Sequence, residues 1–284
     1  RVGAIRNPGW SGWPDPQAGH MRADMHLHTD LSDGRRSPAA LLAEVQRRRL
    51  QLWSITDHDT LAGYDVVAGA AGLLPGIEIT CAWQGREAHC VALAVDPAAA
   101  ELRRLLADIR ERRWQRARAI AAHLQRTRRW HLVPEECRPD GGVITRSHLA
   151  EGLQRAGYVP YAAAAFAEVL GDRALAPLGA VDFPDPATVA AIVRRAGGVL
   201  LLAHPVHYHD LAWCERLVGD AGLDGWEVKH PGCSPSTSRL LRRIADKRGW
   251  WISCGSDDHG RQPCRIGDWR LSAEELRPLA KRLS

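Results

Sequence analysis

Two pairs of metal-ligand residues stand near opposite ends of the chain, and they constrain the fold more than any other feature. His26 and His28 are separated by one residue, and Asp257 and His259 repeat that spacing. Each pair follows or lies in an apolar stretch typical of a β-strand, where residues i and i+2 point to the same face. If the first and last strands meet, four ligands converge and the chain closes on itself. The pattern suggests a metal-dependent hydrolase.

The composition is that of a globular protein large enough for one barrel-like domain or two smaller ones. The chain has 284 residues, 45% of them hydrophobic and 25% charged, and it contains no run of about 18 apolar residues. We therefore expect no membrane partner, and no DNA partner is predicted. The seven cysteines form no C-x-x-C pair, which argues against a disulfide framework and favours a cytoplasmic location. The net charge of +5 comes mostly from arginine, which suits phosphate binding, although the codon usage of a GC-rich genome explains it equally well.

Short apolar strands alternate with helical segments on both sides of a long polar region. After the strand that contains His26, the predicted strands are Leu52–Ile55, Gly76–Ile79, His89–Leu93, Val199–Ala203, Gly225–Val228 and Trp251–Cys254. This alternation predicts an α/β fold with a largely parallel sheet.

The polar region between the two strand-rich halves predicts an insertion. A helical pattern runs from Asp96 to about Arg129, and the sequence that follows is helical or loop-like without a clear strand. The predicted division has three parts: a disordered or irregular extension (1–21), a barrel (22–96 and 186–284) and an inserted helical subdomain (97–185). A last helix is predicted from Ser272, where Glu275 completes a capping box.

Imidazole and carboxylate side chains occur at nearly every predicted strand end, where sites form in α/β proteins. These nine candidates are His26, His28, Asp33, His58, Glu78, His89, His204, Asp257 and His259. The mixture suits zinc, manganese or iron, and the lack of cysteine ligands argues against structural zinc. Taken singly, Glu78, His89 and His204 are better explained as hydrogen-bonded residues, whereas the ordered combination is far more specific.

The same residues resemble the motifs of the PHP (polymerase and histidinol phosphatase) phosphoesterases. The matching segments are Asp24–Gly34, Ile55–Thr60, Gly76–Ile79, Ala203–Pro205 and Gly255–His259. The resemblance implies a distorted (β/α)7 TIM-like barrel that holds two or three divalent metal ions, with manganese expected first and zinc or iron as alternatives. It also implies that all nine candidates are ligands, that Glu78 bridges two metals, and that Asp57 and Asp59 orient the imidazoles. A metal-activated water would attack phosphorus in line with the leaving oxygen.

A narrower resemblance concerns the inserted part. Glu111–Ala117 and Val143–His148 are similar to the branch that hydrolyses nucleoside 3′,5′-bisphosphates and trims short RNA from the 5′ end. Because phosphoryl transfer needs cations beside the phosphate, the candidates for phosphate binding are Arg113, Arg116, Arg146 and His148. A solvated basic helix face is the alternative for Arg113 and Arg116. His148, or else His207, is the candidate acid for the leaving group.

Departures from that branch leave the substrate open. They are Trp114, Asp258 and the segment Gly171–Val181, and none of them removes a candidate ligand. A histidinol-phosphate phosphatase would use the same ligands but would not explain the arginine-rich helix. A non-catalytic nucleic-acid-associated module is the third alternative, and the nine filled ligand positions argue against it.

Overall fold

The computed structural model describes residues 20–137, 142–179, 182–261, 263–272 and 274–276, and its strands form one curled sheet. The strands are β1 (His20–Leu27), β2 (Leu52–Ile55), β3 (Leu73–Trp83), β4 (Arg86–Leu93), β5 (Val199–Leu202), β6 (Gly225–Lys229), β7 (Trp251–Cys254) and β8 (Arg270–Ser272). Their spatial order is β7-β6-β5-β4-β3-β2-β1-β8. Neighbours pair in parallel from β1 to β3 and from β5 to β7.

β4 is antiparallel to both of its neighbours and joins the two parallel halves. The sheet curls until its first and last parallel strands approach each other, and a parallel bridge joins Leu27 to Asp258 just beyond the end of β7. The short strand β8 pairs antiparallel with the start of β1. The predicted α/β barrel is thus confirmed as a nearly closed sheet of seven strands with β8 added beside β1.

The α-helices surround the sheet or lie in the segment between β4 and β5. They are α1 (Pro38–Arg48), α2 (Ala62–Val67), α3 (Ala100–Arg128), α4 (Pro134–Cys137), α5 (Arg146–Arg155), α6 (Ala162–Ala165), α7 (Asp172–Leu175), α8 (Pro186–Arg195), α9 (Leu211–Asp220) and α10 (Pro235–Arg248). A π-helical turn covers Phe166–Leu170, and short 3₁₀ turns cover Ala176–Leu178 and Pro205–Tyr208. None of the described helices is long and apolar enough to cross a membrane.

Polar caps set the beginnings of several helices. Ser37, Asp185 and Ser234 each accept a hydrogen bond from a backbone N–H of the first turn, and a proline follows each of them. Such caps satisfy donors that the helix itself leaves unpaired. The predicted capping box is also present: Ser272 N–H donates to Glu275, and Glu275 N–H donates to Ser272 Oγ.

Two separate hydrophobic clusters share the long helix α3. Leu102, Leu106 and Ile109 from its first half belong to the barrel core. Ala117 and Leu124 from its second half belong to a second cluster formed with residues of α5, α6 and α7. The helical segment therefore has a core of its own, and α3 runs from that core into the barrel core.

The predicted extension falls almost wholly outside the described residues. His20 and Met21, which we expected to lie in it, instead form the start of β1. Their backbone pairs with β8, which explains why the strand begins before the metal-ligand motif.

Candidate metal centre

Glu78 lies at the centre of a cluster of imidazoles inside the mouth of the barrel. It is buried on β3, and its Oε2 atom lies 3.3 Å from His26 Nε2, 3.2 Å from His28 Nε2 and 3.2 Å from His58 Nδ1. One carboxylate oxygen thus faces three ring nitrogens from the carboxyl ends of β1 and β2.

The second oxygen of Glu78 faces two further imidazoles. Glu78 Oε1 lies 3.1 Å from His89 Nδ1 and 2.9 Å from His204 Nε2. Because β4 is antiparallel, His89 near its start lies beside the end of β5, and the Ala203 N–H donates to the His89 carbonyl. A carboxylate whose two oxygens face different groups of nitrogens has the arrangement of a bridging metal ligand.

Two more carboxylates complete the cluster on the side where the barrel closes. Asp257 Oδ1 lies 3.1 Å from His28 Nε2, and Asp33 Oδ1 lies 3.1 Å from His259 Nε2 and 3.7 Å from His58 Nε2. All nine candidates are therefore brought together. Within the described part of the chain, four groups have ligand atoms within 4.8 Å of one another: His28, Asp33, His58 and His259; His26, His28, Glu78 and Asp257; His58, Glu78 and His89; His204, His207 and Asp257.

The second ligand pair does not sit on a strand, which corrects the i, i+2 argument for that end of the chain. β7 ends at Cys254, and Asp257 lies in the following loop with φ 50°. Its N–H donates to the His26 carbonyl, which places this loop against β1. Gly255 permits the contact, because a Cβ there would lie 2.1 Å from the Cβ of His26. A loop and a close backbone approach, rather than strand geometry, aim Asp257 and His259 into the site.

The cluster passes a chemical test for divalent cations. Five of its buried atoms have no hydrogen-bonding partner among the described residues: His26 Nε2, His28 Nε2, Asp33 Oδ1, His58 Nδ1 and His204 Nδ1. Buried polar atoms are rarely left unsatisfied. Ligand atoms that share one zinc ion at about 2.1 Å in tetrahedral geometry lie about 3.4 Å apart, close to the separations seen here. The residues present fit a group of metal ions.

The carboxylates and imidazoles of the cluster shift each other's pKa values. Burial lowers the pKa of His28, but its interactions with Asp257 and Glu78 outweigh burial and raise that pKa to about 10. In the same way, burial raises the pKa of Glu78, while the surrounding imidazoles hold it well below its usual range. The carboxylates around His28 thus favour a positive charge at this place, which a divalent cation would also supply.

Three residues that contact the ligands were not predicted from the sequence. His26 Nδ1 lies 3.1 Å from Glu227 Oε1, and the N–H of His204 donates to Glu227 Oε2 at 2.7 Å. Glu87 Oε1 lies 3.1 Å from the Nε2 of His89. A proton shared with these carboxylates leaves the opposite ring nitrogen free to bind metal. A charged residue inside the apolar strand β6 was the available signal for Glu227.

His230 is the third missed residue. It follows the end of β6, and its Nε2 lies 3.3 Å from Asp257 Oδ2. It occupies a strand end like the other candidates, so the same reasoning would have found it.

Comparisons with known proteins agree with this geometry. The 5′-3′ exoribonuclease Rnm of Salmonella typhimurium is 34% identical over 259 residues, which cover 85% of this chain and 85% of the relative. The 3′,5′-nucleoside bisphosphate phosphatase of Chromobacterium violaceum is 31% identical over 278 residues, covering 91% and 93%. This chain is a PHP-domain metal-dependent phosphoesterase.

A solved structure supports the fold of the phosphoesterase. The predicted metal-dependent phosphoesterase of Bifidobacterium adolescentis superposes with a TM-score of 0.77 at 28% identity, covering 92% of this chain and 96% of the other. No family model matches the chain.

In this phosphoesterase, Asp57 and Asp59 do not hydrogen-bond to the imidazoles that they were predicted to orient. Asp57 accepts hydrogen bonds from the N–H and Oγ1 of Thr29 and from Ser32 Oγ, and Asp59 accepts from Thr80. Neither carboxylate hydrogen-bonds to an imidazole among the described residues. Asp57 instead fixes the loop after β1, and it reaches an imidazole only through Ser32, which lies 3.4 Å from His28 Nδ1.

The arginines of α3 differ from each other in what they contact. Arg113 is buried, and it donates to Asp59 Oδ2 at 2.5 Å and to Thr80 Oγ1 at 2.5 Å. It is committed to protein partners and anchors α3 to the barrel. Arg116 lies 4.0 Å from Glu87, and its buried Nε has no hydrogen-bonding partner among the described residues. Arg116 therefore keeps a donor available for a ligand.

The N-terminus of α5 carries two of the other predicted phosphate ligands. Thr145, its cap, donates from Oγ1 to Asp33 Oδ2 at 3.4 Å, so this helix end lies against the metal cluster. Arg146 pairs with Glu87 at 3.3 Å and with Asp172 at 2.7 Å. His148 Nδ1 accepts the N–H of Thr145 at 3.0 Å. Helix N-termini favour anions, and this one has a cationic side chain at its first position.

Neither candidate acid is set up to hold a second proton. The Nδ1 of His148 is occupied as an acceptor, so its ring proton belongs on Nε2, and burial lowers its pKa. Burial, together with His204 and His230, lowers the pKa of His207 to about 4. Both rings are therefore neutral near pH 7, which suits donation of one hydrogen bond better than general acid catalysis.

Proposed function

We propose that this phosphoesterase acts on nucleotides, and that it hydrolyses both the 3′-phosphate of nucleoside 3′,5′-bisphosphates and the 5′-terminal linkage of short RNA. The observation that carries the proposal is the position of Arg116 and Arg146 beside Glu87, which itself contacts His89 of the metal cluster. A substrate with two phosphates matches this pair of neighbouring sites.

The proposed metal ligands are the nine clustered side chains, with Glu78 between the metals. We expect two or three divalent ions, manganese first and zinc or iron as alternatives. When bound, such ions polarise a phosphoryl group and lower the pKa of bound water, so that hydroxide is available near neutral pH. Glu227 and Glu87 hold His26 and His89 in the tautomers that direct a lone pair into the cluster.

The other phosphate is assigned to the arginines. Arg116 and Arg146 would hold the 5′-phosphate, and the Nε2 proton of His148 would donate to a phosphate oxygen at the N-terminus of α5. Arg113 is left out because Asp59 and Thr80 already take its donors. Neither His148 nor His207 is assigned as the acid.

One bond accounts for both substrates. In a 3′,5′-bisphosphate, hydrolysis breaks the bond between phosphorus and the 3′ oxygen; water adds hydroxide to phosphorus and the 3′ oxygen gains a proton. In RNA the same bond joins the first nucleotide to the second. Its hydrolysis releases a nucleoside 5′-phosphate and leaves a new 5′-phosphate on the shortened chain.

A phosphate- and nucleotide-release screen tests the proposal. Protein purified without metal is assayed with added manganese on adenosine 3′,5′-bisphosphate, AMP, histidinol phosphate and a short 5′-phosphorylated RNA. We expect turnover of the bisphosphate and the RNA. Turnover of histidinol phosphate alone would overturn the assignment in favour of an amino-alcohol phosphatase, and RNA binding without turnover of any substrate would favour a non-catalytic module.

A further inference from the structure

A groove opens beside the loops that carry Asp33 and His259 of the metal cluster. It has a volume of about 700 Å³ and runs between the loops after β1 and β7 on one side and the helices α5 and α6 on the other. We call it the outer groove. Its lining residues are Arg35, Glu151, Gln154, Arg155, Ala162, Ala163 and Arg261.

Two of its arginines are attached to the metal-ligand loops. Arg35 lies two residues after Asp33, and its N–H donates to the carbonyl of His259 at 3.0 Å. Arg261 lies two residues after His259. Because Asp33 and His259 form one edge of the cluster, the outer groove begins where that edge ends. Arg116 and Arg146 instead approach the cluster beside Glu87, which contacts His89.

The charge in the outer groove is incompletely balanced. Arg35 and Arg261 both lie 3.6 Å from Glu151 Oε1, and their side chains are 63% and 50% exposed. One carboxylate therefore serves two guanidinium groups through contacts too long and too exposed to be strong. Arg155 adds a third cation, which donates a hydrogen bond to the backbone carbonyl of Glu136. By contrast, Arg36 is paired with the buried Asp258 and is not available.

An exposed tyrosine adjoins the lining of the outer groove in sequence. Tyr161 precedes Ala162 of the groove lining and is 60% exposed. Exposed aromatic side chains beside basic grooves stack nucleic-acid bases, which is a sequence-tolerant interaction. Together the groove offers cations for a phosphate backbone and a flat ring for a base.

We propose that the outer groove binds the RNA chain downstream of the nucleotide being removed, with its phosphates on Arg35 and Arg261 and a base on Tyr161. This inference rests on the proposed function, because it needs the scissile phosphate at the metals and the 5′-phosphate on Arg116 and Arg146. A mononucleotide bisphosphate would occupy only the metal cluster and the site at Arg116 and Arg146. Only a longer chain would extend past His259 into the groove.

The main test compares two substrates in one double variant. In Arg35→Gln/Arg261→Gln, we expect the KM for a 5′-phosphorylated RNA of several nucleotides to rise about tenfold more than the KM for adenosine 3′,5′-bisphosphate. The salt dependence of log KM for RNA should also become shallower by about 1.4, since each lost phosphate contact removes about 0.7 on single strands. The matched control is Arg239→Gln/Arg243→Gln, which removes two exposed arginines of α10; it should change neither KM.

Further single variants test the stacking of a base on Tyr161 separately from the competition between Glu151 and phosphate. Tyr161→Ala should raise the KM for RNA, whereas Tyr161→Phe should keep it close to that of the unaltered protein. Glu151→Gln should lower the KM for RNA, because it removes the carboxylate that competes with phosphate for Arg35 and Arg261. An unchanged or higher KM in Glu151→Gln would contradict that competition.

The outcomes distinguish the two proposals. If the unaltered protein turns over neither the bisphosphate nor the RNA, the proposed function fails. If it turns over both, but the Arg35/Arg261 double variant changes both substrates equally or neither, the function stands and the outer groove is not the RNA site.

Discussion

The metal cluster and the arginines around it differ in which part of the fold supplies them and in how firmly they are held. Every cluster ligand comes from the strands of the barrel or from the loops that follow them, and most are buried. The arginines that would meet substrate include Arg116 and Arg146, which lie on helices of the separate second core, and their partners are carboxylates that a phosphate can displace. On the proposed function, the barrel would supply the chemistry, while the helical segment and two loop arginines would set the choice of substrate.

The largest effect should follow removal of the central carboxylate. In Glu78→Gln, the cluster loses the group that faces five imidazoles, and we expect turnover to fall at least about 1,000-fold, equivalent to about 4 kcal/mol of transition-state stabilisation. Metal content by mass spectrometry should fall with it, while circular dichroism should show a folded chain. The matched control is Glu101→Gln, which breaks an exposed pair with Arg195. Near-normal turnover in Glu78→Gln would show that Glu78 is not an essential metal ligand.

A smaller loss of turnover is expected from a residue that contacts a ligand but is not itself one. Glu227→Gln removes the charge that holds His26, and such changes typically cost about 10–100-fold in metal affinity. Metal titration should show this loss, and raised metal concentrations should restore most of the turnover. A turnover defect that persists at saturating metal would mean that Glu227 acts on the reaction itself.

Loss of Arg146 should weaken substrate binding and leave the metal content unchanged. Arg146→Gln removes a charged hydrogen bond to phosphate, and we expect the KM for adenosine 3′,5′-bisphosphate to rise about 10–100-fold. The measurement is steady-state kinetics beside metal analysis, with Arg118→Gln, an exposed surface pair with Glu135, as the control. Lost metal with an unchanged KM would place Arg146 among the residues that support the cluster.

The same contrast explains which features could be predicted from the sequence. Local apolar patterns locate the strands, and the ordered motifs along them allowed all nine clustered residues to be named from the sequence. The antiparallel direction of β4 could not be predicted in this way, yet it places His89 beside Glu78. The left-handed backbone of Asp257 likewise depends on contact with β1 and leaves no local pattern.

The roles of the remaining residues depend on contact partners that are distant in the sequence. Arg113 has the sequence context of a phosphate ligand, but Asp59 and Thr80 take its donors. Asp57 has the context of a residue that orients an imidazole, but it fixes the loop after β1. Glu227 was overlooked because one acidic residue in a short apolar strand gives little sign of what faces it across the barrel.

The central claim is that the clustered side chains hold divalent metal ions around Glu78. The most direct measurement is anomalous diffraction from crystals grown with manganese, combined with the metal content of the same protein. The account predicts two or three ions per chain, with Glu78 between them and His26, His28, His58, His89 and His204 around them. A chain that catalyses phosphate release with no ion beside Glu78 would contradict it.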